Sequence, residues 1–321
     1  MALVGRTCVV TGANSGIGKA LVQRLVQQGA NVVLACRDVK RAEETVDALK
    51  KEEKDGQMVA KELDLASFRS VREFAEGMSG EPIHVLLHNA GVMMPHAVLT
   101  EDEVETTLQV NALSPLLLSI LLRPNLEMAA KGGEKRNTRI VYVGSSLEKN
   151  GDIQSLLDGT MFKGVASFAP EDNSWWRPNV KKTMATYANA KLVGTMCSYR
   201  LAREWDHLEG IGVYVVSPGV VNTSLNRFLP VWLRTLIAPL QYLILRSPNQ
   251  GAETPFWAAT CDDPLVLQGN GQYFKDLKPH RSSETSRSTE LQDEVWKRCM
   301  SALKADLPQT SAQTKETDTI F

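Results

Sequence analysis

The stretch TYANAK, Thr186 to Lys191, sets a phenol and an amine four residues apart. On a helix that spacing stacks Tyr187 and Lys191 on one face. A free tyrosine titrates near pH 10, and bringing it to neutrality takes about 4 kcal/mol. One ammonium about 4 Å away, at an effective dielectric of about 20, supplies roughly that much. Such a pair can give and take a proton at neutral pH. A second stretch, TGANSGIG, places glycines at 12, 16 and 18 between an apolar run and a helical pattern. There Gly12 permits a tight turn, Gly16 lets the backbone approach a pyrophosphate, and Gly18 lets a helix close on a sheet. The helix start adds free N–H groups and the positive end of its dipole.

These residues need a scaffold, and the chain reads as one. Short β-branched runs at 6–11, 31–36, 58–64, 84–90, 139–145 and 212–219 alternate with helical patterns at 16–29, 38–54, 67–78, 101–127 and 184–208. Ile17, Leu21 and Leu25 recur every four residues, an apolar stripe for packing on a sheet. The alternation predicts an α/β fold, a doubly wound parallel sheet of about seven strands with helices on both faces. Residues 1–306 read as a single domain, with an insertion at 166–182 and an apolar substrate lid at 225–248. The polar runs RSSETSRS (281–288) and 307–321 read as flexible.

Composition narrows the function. Of 321 residues 43% are hydrophobic and 23% charged, and the formal net charge is −1, which argues against nucleic acid as a partner. The five cysteines lie far apart without a CxxC or Cys/His spacing, and the five histidines show no ligand spacing, so reduced thiols and no metal site are expected. No signal peptide fits ahead of the first strand. Pro230, Arg234, Pro239 and Gln241 interrupt the apolar run 228–248, leaving no segment near the ~20 residues of a membrane span. A cytoplasmic protein is expected, with 228–248 as a peripheral contact to an intracellular membrane.

The G-x-x-x-G-x-G spacing together with TYANAK resembles the short-chain dehydrogenase/reductase family. The resemblance spans about residues 3–275 and implies a Rossmann-type fold and hydride transfer between a nicotinamide cofactor and a carbonyl or alcohol. It implies that the loop residues Gly12, Asn14, Ser15, Gly16, Ile17 and Gly18 hold the cofactor. Asp64 and Leu65 would contact the adenine, and Asn89, Ala90 and Gly91 in HNAG would match the family's N-N-A-G. Pro218, Gly219, Val221 and Thr223 would line the nicotinamide. It implies a catalytic set of Asn111, Ser146, Tyr187 and Lys191, with Ser146 rather than Ser145 taken from VGSS. In relatives the asparagine bends its helix and holds a water near the lysine, and the lysine also holds the ribose.

The second strand bears on the cofactor's identity. An NAD site usually ends this strand with an acid for the ribose 2′-hydroxyl. Here Cys36 stands there, followed by Arg37, whose charge suits a 2′-phosphate. NADP(H) is therefore expected ahead of NAD(H). Within the family, GANSGIGKA, ACRD, NAGVMM, PGVVNT and SPNQGAET look most like the retinol-dehydrogenase-like branch, which implies a retinoid, sterol or other isoprenoid-like substrate. Forty residues separate Ser146 from Tyr187, more than the family's usual dozen or so, and they include Trp175, Trp176 and Arg177. That insertion admits a second reading, a catalytically weak nucleotide-binding scaffold with a partner site at 166–182. Family members also pair through the two long helices, which implies a homodimer.

Overall fold

The computed structural model describes residues 3–50, 56–131, 136–158, 180–221 and 245–303. Thr223, Trp175, Trp176, Arg177, most of the predicted insertion and lid, and the predicted tail lie outside them. Eight strands are described: β1 (Thr7–Thr11), β2 (Asn31–Cys36), β3 (Met58–Glu62), β4 (Val85–His88), β5 (Thr138–Val143), β6 (Ile211–Ser217), β7 (Gln272–Lys275) and β8 (Lys278–Pro279). They form one sheet in the order β3-β2-β1-β4-β5-β6-β7-β8, parallel throughout except for the last pair. The helices are α1 (Gly16–Gln27), α2 (Val39–Lys50), α3 (Phe68–Glu76), α4 (Thr106–Leu108), α5 (Ser114–Leu121), α6 (Arg123–Ala130), α7 (Ile153–Leu157), α8 (Val180–Glu204), α9 (Pro248–Thr260), α10 (Pro264–Leu267), α11 (Glu284–Arg287) and α12 (Thr289–Ala302).

Every residue of β5 and β6 is buried, because both faces of the sheet are covered. The pleat divides them between two cores. Val9, Leu86, Ile140 and Val213 pack with α3, α5, α8 and α12. Their neighbours Val10, Leu87, Val141 and Tyr214 pack with α1, α2 and α9. All five cysteines are unpaired, and Cys197 Sγ of α8 lies 3.6 Å from Cys299 Sγ of α12.

Two expectations need correction. The single helix expected over 101–127 is broken. Residues Leu99 and Glu105 form an isolated bridge, and the Glu105 carboxylate caps α4 by accepting from Leu108 N–H at 2.7 Å. A wide π-turn over Gln109–Leu113 then leads into α5, which carries Pro115 at its start, and Leu122 separates α5 from α6 ahead of Pro124. Prolines at helix starts lack the N–H that continuity requires. The run 281–288 is ordered, not flexible. Ser283 caps α11 and Ser288 caps α12 through their hydroxyls, while Ser282 and Ser286 are buried. Serines read as solvated chain are used here as caps.

Arg139 is fully buried in β5 and has no acid partner among the described residues. Its guanidinium donates instead to the carbonyls of Arg136 (3.1 Å), Ala258 (3.1 Å) and Cys261 (2.6 Å), the last two at the C-terminal end of α9. The negative end of the α9 dipole favours the cation there. Arg139→Met would strand three carbonyls, and the expected cost of about 2–3 kcal/mol lowers Tm by roughly 3–5 °C. A melt indistinguishable from the parent would show that the staple contributes nothing.

Candidate active site

The sheet order reverses between β1 and β4, so the loops following these two strands leave to opposite sides and open a crevice at their C-terminal ends. The loops are tied across the crevice. Thr11 Oγ1 accepts from the N–H groups of Asn89 (3.1 Å) and Ala90 (3.0 Å), and Asn89 Nδ2 donates to the Thr11 carbonyl at 3.0 Å. Gly12 has φ 64° and Gly16 φ 52°, a region that favours glycine. A Cβ on Gly12 would stand 2.9 Å from Ala90 Cα, and one on Gly18 would stand 2.3 Å from the Gly12 carbonyl oxygen. Ser15, at the N-cap of α1, makes no side-chain capping bond. A bare-backbone cradle at an uncapped helix start fits a dinucleotide pyrophosphate.

At the end of β2, the Cys36 thiol is buried and accepts from the backbone N–H groups of Ala13 and Asn14, so it faces the glycine loop; burial pushes its pKa up. Arg37 is exposed beside it. Asp38 caps α2, its carboxylate accepting from Arg41 N–H at 3.1 Å. After β3, Asp64 accepts from Ala66 N–H at 2.9 Å, while Leu65 is buried in the core and its carbonyl accepts from Ser114 Oγ at 2.6 Å.

Tyr187 and Lys191 lie on α8, both buried, with Lys191 only 3% exposed. Lys191 Nζ donates to the Val143 carbonyl at the end of β5 (2.8 Å) and lies 5.7 Å from the centre of the Tyr187 ring. The serine that meets the Tyr187 hydroxyl is Ser145. Ser146, the expected partner, is exposed and starts the short helical turn Ser146–Asn150, which Ser145 caps by accepting from Leu147 N–H at 3.2 Å. Ser145 keeps the extended backbone of the strand, which holds it facing α8; the chain turns only at the next residue. Asn111 sits in the π-turn, its side chain donating to the Val92 carbonyl (2.7 Å) and accepting from Val92 N–H (2.8 Å). It thereby pins the loop after β4 to the bent helix. His88, in place of the family's first asparagine, is buried, with its pKa pushed down to about 3, and shares a 2.7 Å hydrogen bond with Ser119.

Burial dominates the electrostatics. It pushes the Tyr187 phenol up to about 12, against the Ser145 hydrogen bond, and pushes Lys191 down to about 7.

Beyond β6, Pro218 is buried and Gly219 has φ 80°. Val221 bridges to Arg246, whose guanidinium donates to the Pro218 carbonyl at 3.3 Å and pairs with Asp276 at 2.6 Å. A Cβ on Gly251 would stand 2.7 Å from Val221 and 3.1 Å from Ile17, so α9 closes tightly on both. Behind Ser145, Glu148 is fully buried and accepts from Ser283 N–H at 2.8 Å and from the Ser283 hydroxyl. Ser282 accepts from Tyr199 of α8 at 2.7 Å and from Ser286 at 2.8 Å. Neither Arg246 nor Glu148 was marked by motif; a charged residue just before SPNQGAET and one just after VGSS were the available signals.

A model of the short chain dehydrogenase family matches residues 6–157. Dehydrogenase/reductase SDR family member 13 of Bos taurus is 36% identical over 302 residues, 92% of this chain and 72% of its own length. Polyprenol dehydrogenase of Mus musculus is 35% identical over 91% of this chain and 82% of its own. Retinol dehydrogenase 14 of Mus musculus is 34% identical over 91% and 84%. Among solved structures, an uncharacterized protein from Mycobacterium paratuberculosis superposes with a TM-score of 0.69 at 25% identity, covering 96% of each chain.

The depressed Lys191 carries a stability consequence. Below its ordinary value of 10.5 the unfolded chain holds the proton, whereas the folded chain takes it up only near 7. Stability is therefore lost as pH falls from about 10 to 7 and is level below that. Lys191→Met, which removes the penalty and keeps the volume, is expected to raise the Tm of the ligand-free protein at pH 7 by several degrees, with the gain shrinking towards pH 10. A lower Tm at pH 7 would contradict the penalty.

Proposed function

Because the chain belongs to the short-chain dehydrogenase/reductase family, in its retinol-dehydrogenase-like branch, we propose that it is an NADP(H)-dependent oxidoreductase interconverting a hydrophobic alcohol and its aldehyde or ketone. Oxidoreductase chemistry on a nicotinamide cofactor is the family's property; the site assignments, the NADP(H) preference and the substrate class are the present reading. The observation that carries it is the cluster of buried Tyr187 and Lys191 with half-buried Ser145, whose side chain meets the Tyr187 hydroxyl beyond the end of β5.

The bound nicotinamide supplies or accepts the hydride. Ser145 holds the substrate oxygen and polarises it, and Tyr187 gives that oxygen a proton in reduction or takes one from it in oxidation. Lys191, as ammonium, favours the tyrosinate and offers its remaining N–H groups to the ribose. Asn111 acts at one remove, holding Val92 and so the loop of Asn89, Ala90 and Gly91 in place. On the adenosine side Gly12, Asn14, Ser15, Gly16, Ile17 and Gly18 receive the pyrophosphate. Arg37 receives the 2′-phosphate, with no acid at Cys36 to repel it. The relatives named for polyprenol and retinol support an apolar substrate. So does Val220, 63% exposed at the start of the segment leading to 225–248.

Tyr187→Phe keeps the packing of the ring and removes only the hydroxyl; turnover is expected to fall by on the order of a hundredfold or more, with NADPH affinity and Tm nearly unchanged. Ser145→Ala is expected to slow the reaction at least tenfold, and Ser146→Ala to leave it within about twofold. Normal turnover by Tyr187→Phe, measured with NADPH and an apolar aldehyde such as retinal, rules the mechanism out. The reverse order for the two serines moves the assignment back to Ser146.

The cofactor is tested separately. NADPH is expected to bind at least about tenfold more tightly than NADH, a difference of about 1.4 kcal/mol. Arg37→Ala erases most of that preference and leaves NADH binding little changed. Equal affinities in the parent protein refute the preference.

A further inference from the structure

Tyr142 is buried in β5, one residue before the carbonyl that receives Lys191. Lys191 Nζ lies 5.1 Å from the centre of the Tyr142 ring and 5.7 Å from that of Tyr187, so the ammonium is faced by two aromatic rings. A cation in that position is attracted by the negative ring faces, most of all where water is excluded. The Tyr142 hydroxyl donates to the Asn111 backbone carbonyl at 2.8 Å. In an unbroken helix that carbonyl would accept from residue 115, but Pro115 has no N–H to offer. Room for the hydroxyl comes from α8, where a Cβ on Gly194 would stand 2.1 Å from it. Gly194 is three residues after Lys191, on the same face of the helix. Tyr142, Gly194 and Pro115 thus fit together around the bend that carries Asn111.

We propose that Tyr142 is a positioning residue for the proton-transfer pair, its ring holding the Lys191 ammonium and its hydroxyl locking that ring to the π-turn. The inference rests on Tyr187 and Lys191 acting as proposed above. It adds a ring contact to the lysine and gives the Asn111 main chain a protein partner. Other titratable groups nearby are Tyr187 and Cys197 on α8, Tyr273 on β7 and His88 on β4. The last shares with Tyr142 a small cavity lined also by Ser119, Gly194 and Cys197.

The test compares Tyr142→Phe, which keeps the ring, with Tyr142→Leu, which removes it. Tyr187→Phe is the control, and all are assayed with NADPH and retinal across pH beside thermal melts. Tyr142→Phe is expected to keep kcat within about threefold of the parent. Tyr142→Leu is expected to lose kcat at least about tenfold with substrate KM unchanged. The basic limb of its kcat/KM profile moves to lower pH by about half a unit or more, because an ammonium without the ring gives up its proton sooner. A core tyrosine with no such role would lower Tm in both variants and leave the pH limb where it was. A folded Tyr142→Leu with parental kcat and pH profile overturns the proposal. So does a Phe variant that falls as far as the Leu variant. If Tyr142→Leu prevents folding, Tyr142→Met takes its place with the same expected losses, and parental kcat and pH profile in that variant overturn the proposal. Full activity in Tyr187→Phe places the failure in the underlying mechanism instead.

Discussion

A cation kept where water is excluded is the constraint around which the rest of the structure is arranged. Lys191 Nζ has the Val143 carbonyl and two aromatic faces for company, and burial alone brings its proton affinity close to neutrality. A charge in that state responds to small changes in its surroundings, so its surroundings must be rigid. β5 ends at Val143, which leaves the carbonyl available, and at Gly144, the next residue, an added Cβ would stand 3.1 Å from Val215. A Cβ at Gly91 would stand 3.6 Å from Nζ and 3.2 Å from Asn111 Oδ1, so the loop after β4 lies against the lysine as well.

Rigidity of that kind comes from the frame more than from the site. The two cores on either face of the sheet fix β1, β4, β5 and β6 in register, and their C-terminal ends set the positions of the glycine loop, the Asn89 loop, Ser145 and Pro218. Cross-loop hydrogen bonds then replace packing where the chain must leave the sheet. Thr11 with Asn89, Asn111 with Val92, and Arg246 with Pro218 each join segments distant in sequence. Most of these bonds involve a backbone group that would otherwise be left unpaired at a strand end.

Much of this was legible from residues alone. The six runs became strands, and in the five inside the sheet near-continuous burial on both faces demands near-continuous β-branched or apolar sequence, while β3 at the edge carries exposed residues. The glycine loop was legible because only glycine tolerates the turn and the close approach. The division of 101–127 into separate helices was not, beyond the bend that the resemblance implied at Asn111, since Pro115 and Pro124 sit inside a pattern whose apolar spacing still reads as one helix. The serine run 281–288 was misread because composition records polarity and not whether a hydroxyl meets solvent or a helix end. That Ser145 and not Ser146 meets the Tyr187 hydroxyl was not legible, because the two differ only in which residue the strand's extended backbone reaches before the chain turns. The burial of Tyr187 and Lys191 was not legible either, because spacing reveals the proximity of a cation and says nothing about the depth at which both groups lie.

The buried contact between Glu148 and Ser283 bears on when the site comes into being. Glu148 lies three residues past Ser145, and its carboxylate is satisfied by a segment 135 residues further along. A nascent chain emerging from the ribosome can pair β1, β4 and β5 early, yet the turn after β5 then carries a carboxylate with nothing to receive it in the interior. Until residues 282–286 have been synthesised, that turn stays hydrated and Ser145 has no fixed backing. The glycine-loop helix is covered by α9 and the turn after β5 is backed by Ser283, so both walls of the crevice wait on residues from the last quarter of the chain.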